Sequence, residues 1–135
     1  MPPTEPAEPE KKLQEIVDEV GLYPIAAYEF LQEGLSYTVN KLHGDVTDPN
    51  ASRHVGGKDL CEGLRERALQ KWGLMAGTVL KRWNICRTLD FGRIVFALVD
   101  SGYMQKTDDD TVEDFRDVYD FKDAFEAGYR IESKV

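Results

Sequence analysis

Residues 78–104, TVLKRWNICRTLDFGRIVFALVDSGYM, contain the most apolar run of the chain, IVFALV at 94–99. On composition alone that run suits a strand as well as a helix, because β-branched and aromatic residues favour a pleated surface. Three features select helix. Thr88 stands where an N-cap belongs, with Asp90 in the first turn, where a carboxylate meets the positive end of the helix dipole. Phe91, Ile94, Val95, Leu98 and Val99 recur at intervals of three and four. The capped length from 89 to 101 also exceeds that of an ordinary strand. Gly102 then turns the chain.

Upstream of this segment the apolar residues keep the same period. Leu13, Ile16, Val17 and Val20 predict a short helix that Gly21 closes in the left-handed conformation. Tyr23-Pro24 restarts the chain, since proline fits a first helical turn. Ala27, Phe30, Leu31, Gly34, Leu35, Thr38, Val39 and Leu42 then form one stripe, with Gly34 marking a close helix crossing. Tyr28 and Tyr37 lie off its centre and are read as flank packing, with a contact surface as the alternative. Leu60, Leu64, Ala68 and Trp72 predict a helix over 58–72 ended by Gly73. Leu74, Met75, Val79, Leu80 and Trp83 predict a shorter one that Asn84 terminates.

Between the second and third of these helices, residues 43–57, HGDVTDPNASRHVGG, have the Gly, Pro, Asn, Asp and Ser density of a loop, the longest in the fold. Loops of this length are often functional. His43 and His54 stand near its ends and Cys61 follows, a combination that raises a metal site, but neither the spacing nor a fourth ligand matches a zinc pattern. No metal or cofactor is assigned.

Downstream, 105–135 turns acidic. Thr107 with Asp110, and Thr111 with Asp114, have capping-box spacing and predict a helix start. Val112, Phe115, Val118, Tyr119, Phe121 and Phe125 are the residues to bury. A turn or two of helix, an irregular stretch at 118–121 and another short helix are expected, with a two-stranded wing as the alternative. Asp108, Asp110 and Asp114 also invite a calcium reading, but the glycine and distal glutamate of a calcium loop are missing.

The whole is 135 residues, enough for one core that removes roughly 70% of the unfolded surface from water. Residues 1–10, with four of the six prolines and three glutamates, read as a disordered tail, 11–127 as one globular domain and 128–135 as a C-terminal extension. The predicted fold is mainly α: a single-domain bundle of five or six helices with an irregular acidic C-terminal segment that includes at most a short β-hairpin, a winged-helix-like variant being the alternative. No apolar run approaches the roughly 20 residues of a membrane span. Two cysteines and no basic-then-apolar leader predict a cytoplasmic protein with free thiols.

Charge narrows the function. The net is −8, but residues 53–93 carry nine Lys and Arg against four Asp and Glu, a net of +5, while 100–126 carry three against ten, a net of −7. In a winged-helix reading the recognition helix over 89–101 would present Asp90, Arg93 and Asp100, and the wing Asp108, Asp109 and Asp110. Those carboxylates repel phosphate, which disfavours nucleic acid. There is no phosphate loop, nucleophile elbow or HExxH, so no catalytic residue is assigned. The expected function is a non-catalytic interaction or adaptor module that binds a protein partner or self-associates, with a winged-helix-like nucleic-acid-binding or dimerisation domain as the alternative. The candidate partner surface joins the loop to the basic face of the next helix: His43, Arg53, His54, Arg65, Arg67 and Lys71.

Four stretches, YEFLQEGLSYTV, RHVGGKDLCEGLRERALQKWG, VLKRWNICRTLDFGRIVFALVDSGYM and KTDDDTVEDFRDVYDFKDAF, in that order over about residues 23–125, resemble a family of small, uncharacterised bacterial conserved hypothetical proteins, the Minf type. The resemblance implies a bacterial, cytoplasmic, single-domain protein and transfers no catalytic residue. Where that family reads HxSG after the loop, this chain has His54-Val55-Gly56-Gly57, and Gly56 is a poorer cap than serine.

Overall fold

In the computed structural model, which describes residues 12–44 and 54–127, the five apolar stripes become five α-helices. They are α1 Leu13–Val20, α2 Ile25–His43, α3 Gly57–Trp72, α4 Ala76–Arg82 and α5 Thr88–Asp100. A 3-10 turn at Gly73–Met75 joins α3 to α4; a second at Val112–Phe115 and a π-helical turn at Asp123–Ala127 follow α5. Among the described residues there is no strand, so the acidic segment makes no wing hairpin. The tail at 1–10, the extension at 128–135 and most of the long loop, Arg53 included, lie outside the described residues.

α5 is the central helix. It buries Thr88, Leu89, Asp90, Phe91, Gly92, Ile94, Val95 and Leu98, each large apolar side chain contributing about 1.5 to 3 kcal/mol of transfer free energy. It packs on α2 and against the Val112–Phe115 turn, while α1 lies across α2 and α5. Thr88 does not cap the helix. Its hydroxyl accepts the N–H of Val118 at 3.1 Å and so pins the acidic segment to the core. The capping role belongs to Asp90, whose Oδ2 accepts the N–H groups of Cys86 (2.9 Å) and Arg87 (3.2 Å).

The most extensive helix pair is α2 with α3. At Gly34 a Cβ would run into Leu64, and at Gly63 into the Thr38 hydroxyl, so missing side chains on both helices let the backbones approach. The crossing expected at Gly34 is therefore present, with Gly63 as its second half.

Phe115 is fully buried in the same manner. A Cβ on Gly57 would stand 3.0 Å from its ring and one on Gly92 2.8 Å from its Cβ and Cγ, so two glycines make the slot that Phe115 fills between α3 and α5. Behind it, Phe121 joins the rings of Phe91, Tyr119 and Phe125 at centroid distances of 5.6, 5.9 and 5.0 Å.

The T-x-x-D pairs close turns, not α-helices. Asp110 Oδ2 accepts the Thr107 N–H at 2.8 Å, and Asp114 Oδ2 accepts that of Thr111 at 2.9 Å. With Asp117 in the left-handed region (φ 50°), the backbone cannot continue as α-helix beyond the short 3-10 turn.

Candidate functional site

The close α2–α3 crossing decides the fate of the basic face of α3. Glu33 on α2 accepts Arg67 Nε at 2.6 Å and Lys71 Nζ at 2.9 Å. One turn or two farther along, Glu66 of α3 accepts Lys41 Nζ and, at 3.0 Å, the Tyr37 hydroxyl, which in turn accepts from Gln70 at 3.1 Å. Burial alone would raise the Glu33 pKa, but the Lys71 and Arg67 cations outweigh it and hold the carboxyl below its ordinary value. Arg65 faces elsewhere: its Nε donates to the Ala124 carbonyl at 3.2 Å and ties the C-terminal turn to α3. Of the three expected docking cations on α3, two thus share one carboxylate within the protein, and the third is a strut.

The loop ends meet at a second polar cluster. His43 Nε2 lies 2.8 Å from the carbonyl of His54; because a carbonyl only accepts, that nitrogen carries the proton. His54 Nε2 lies 3.0 Å from both oxygens of Asp110, and since a carboxylate likewise only accepts, that nitrogen is the donor. The Asp110 side chain is only 4% exposed. Burial would raise its pKa, yet the Thr107 N–H and the His54 ring together keep it below its ordinary value. His43 and His54 therefore come together, but Cys61 serves another purpose. It is fully buried, its carbonyl accepts the Tyr119 hydroxyl at 2.7 Å, and burial pushes its thiol up to about 12. No group of three or more His, Cys, Asp or Glu placed to hold a metal ion occurs among the described residues, and with Asp110 on His54 and Asp114 on Thr111 the calcium trio does not converge.

A third region is not among the candidate residues expected from the sequence. Leu74 and Met75, expected to bury in the α4 stripe, are 65% and 56% exposed. Gly73 (φ 50°) swings the chain into the 3-10 turn and rotates both outward before α4 begins. They follow Trp72, whose ring is tilted on Phe30 (5.0 Å) and edge-on to Trp83 (5.3 Å), so the exposed turn begins at an aromatic cluster. Met75, Thr78 and Arg82, spaced by three and four, are all exposed. Arg82, like its neighbour Lys81 and like Arg87, has no side-chain partner among the described residues. The signal available in the sequence was Gly73 itself, which separates Leu74-Met75 from the period of either helix.

The chain matches no protein-family model, no curated protein and no solved structure. Among the described residues, no helix is long and apolar enough to cross a membrane.

Proposed function

We propose that this protein is a non-catalytic interaction module of the bacterial cytoplasm, the setting implied by its resemblance to the Minf-type family. Its partner is a protein segment that carries an apolar anchor beside acidic residues. The observation that carries this reading is the exposed Leu74-Met75 turn beside its aromatic cluster, continuing along α4 to the unpaired cations Lys81 and Arg82. An apolar anchor with charged groups at its rim is the usual anatomy of a protein interface. The internal pairing of Arg67 and Lys71 moves the centre of the surface from the α3 face to the α3–α4 turn. Burial of α5 along its length supports the choice of protein over nucleic acid, since a recognition helix must be free to enter a groove.

The test compares three immobilised baits: wild type, Leu74→Asp/Met75→Asp, and Leu42→Asp, the last altering an equally apolar exposed residue at the far end of α2. A specific protein held by wild type and Leu42→Asp but lost from the double variant is expected. Equal recovery on all three overturns the assignment. Light scattering of the same proteins separates a heterologous partner from a second copy of the chain.

A further inference from the structure

On the side of α4 that carries Gly77 and Lys81, the chain leaves a cleft of about 230 Å³ lined by Gly77, Lys81, Ile85, Cys86, Phe121 and Lys122. Its apolar body comes from Ile85 and from Phe121, whose ring is held by Phe91 and Phe125. Gly77, without a side chain, forms part of the wall. No carboxylate lines the cleft, although the protein is acidic overall. Asp120, the nearest acidic neighbour before Lys122, turns its Oδ1 to the backbone N–H groups of Lys122 (2.9 Å) and Asp123 (3.2 Å) and is occupied there. Lys81 and Lys122 have no side-chain partner among the described residues. Two lysines with no ion pair among the described residues, on a wall shared with Ile85 and Phe121, suit an anion that carries an apolar part.

The volume sets the size of the guest. It lies below the roughly 300 to 1,000 Å³ of clefts that hold drug-sized molecules, too small for a nucleotide and suited to one amino-acid side chain or a short acyl chain. We propose that the cleft between α4 and the C-terminal turn binds a small carboxylate with an apolar tail, the tail on Ile85 and Phe121 and the carboxylate between Lys81 and Lys122. A free short-chain acid and the C-terminal residue of a polypeptide share this chemistry. The site shares Lys81 with the proposed docking surface, but it is carried by the cleft and by Ile85, Phe121 and Lys122 and does not depend on that reading.

The exposed thiol of Cys86 on the cleft wall reports occupancy, because Cys61 is fully buried. Alkylation of Cys86 by iodoacetamide is followed by mass spectrometry with hexanoate, with 1-hexanol, and with a short peptide ending in leucine as free acid or amide. Hexanoate, at about ten times its dissociation constant, slows alkylation about tenfold by mass action, and hexanol does not. Protection by the free-acid peptide but not its amide identifies a polypeptide C-terminus as the guest; protection by hexanoate alone identifies a free acid. Lys81→Gln/Lys122→Gln, both exposed positions, loses the protection while its thermal midpoint stays near that of wild type. Unchanged alkylation with both acids, protection by the alcohol equal to that by the acid, or protection retained in the double variant overturns the proposal.

Discussion

The hydroxyl of Tyr23 donates to Asp90 Oδ1 at 2.6 Å, joining the α1–α2 connection to the first turn of α5 across 67 residues of sequence. Asp90 is 5% exposed and holds its remaining lone pairs against the N–H groups of Cys86 and Arg87 and, at 3.4 Å, Arg93. One carboxylate thus caps the central helix and anchors the N-terminal part of the fold to it.

Tyr23→Phe removes a hydrogen bond to a charged, buried acceptor and is expected to cost about 1.5 to 3 kcal/mol in urea unfolding. A pH signature accompanies it. Burial, followed by the bond to Asp90, raises the Tyr23 pKa above 10.0. The phenol therefore contributes stability fully below pH 10 and loses it as pH climbs toward the folded value. Tyr23→Phe should flatten that alkaline decline; an unchanged alkaline limb would place the loss elsewhere.

Tyr28 is the opposite case. It is fully buried five residues on, its ring edge-on to Tyr23 at 6.5 Å, and its hydroxyl has no hydrogen-bond partner. Tyr28→Phe keeps the packing and removes an unsatisfied polar group, so it should be neutral or stabilise by up to about 1 kcal/mol. A clear drop in the denaturation midpoint would show that the hydroxyl is satisfied in solution.

The α2–α3 crossing depends on Gly63. Its Cβ in Gly63→Ala would overlap the Thr38 hydroxyl and stand 3.0 Å from Thr38 Cβ, an overpacking expected to cost about 1 to 3 kcal/mol. Adding Thr38→Ala removes the hydroxyl and should recover part of that loss. A double-mutant cycle with no coupling between the two positions would mean that the helices do not approach as described.

The contact of His54 with Asp110 at the end of the long loop predicts an acid limb. Asp110 has its pKa held below 3.8 in the folded protein, so its contribution is present above that value and is lost as pH falls through the folded pKa. Asp110→Asn should lower stability at neutral pH while making the loss below about pH 4 shallower. Parallel acid limbs for variant and wild type would remove the His54–Asp110 pair from the account.

Along α5, Phe91→Ala and Leu98→Ala empty fully buried positions and should each cost about 2 to 5 kcal/mol. Arg93, 48% exposed on the same helix, should tolerate Ala within about 0.5 kcal/mol. Similar midpoints for all three would contradict the burial of this face.

By itself the sequence determined the five helices, the helical state of 94–99, the end of α1 at Gly21 and of α4 at Asn84, the latter two in left-handed conformations with φ of 69° and 64°. These follow from periods of three and four residues and from steric limits on single residues, which are local properties. It also placed the T-x-x-D turns, although not their failure to grow into α-helix.

Tertiary structure alone decided which charges remain for function. Arg67 and Lys71 look like a free basic patch until the glycines of the α2–α3 crossing bring Glu33 beside them. Thr88 looks like a cap until Val118 arrives at its hydroxyl, and Leu74-Met75 looks like core until Gly73 turns it outward. Periodicity states which face of a helix is apolar, whereas the partner of a polar group depends on how closely two distant backbones approach, and that distance is set only when the whole core packs.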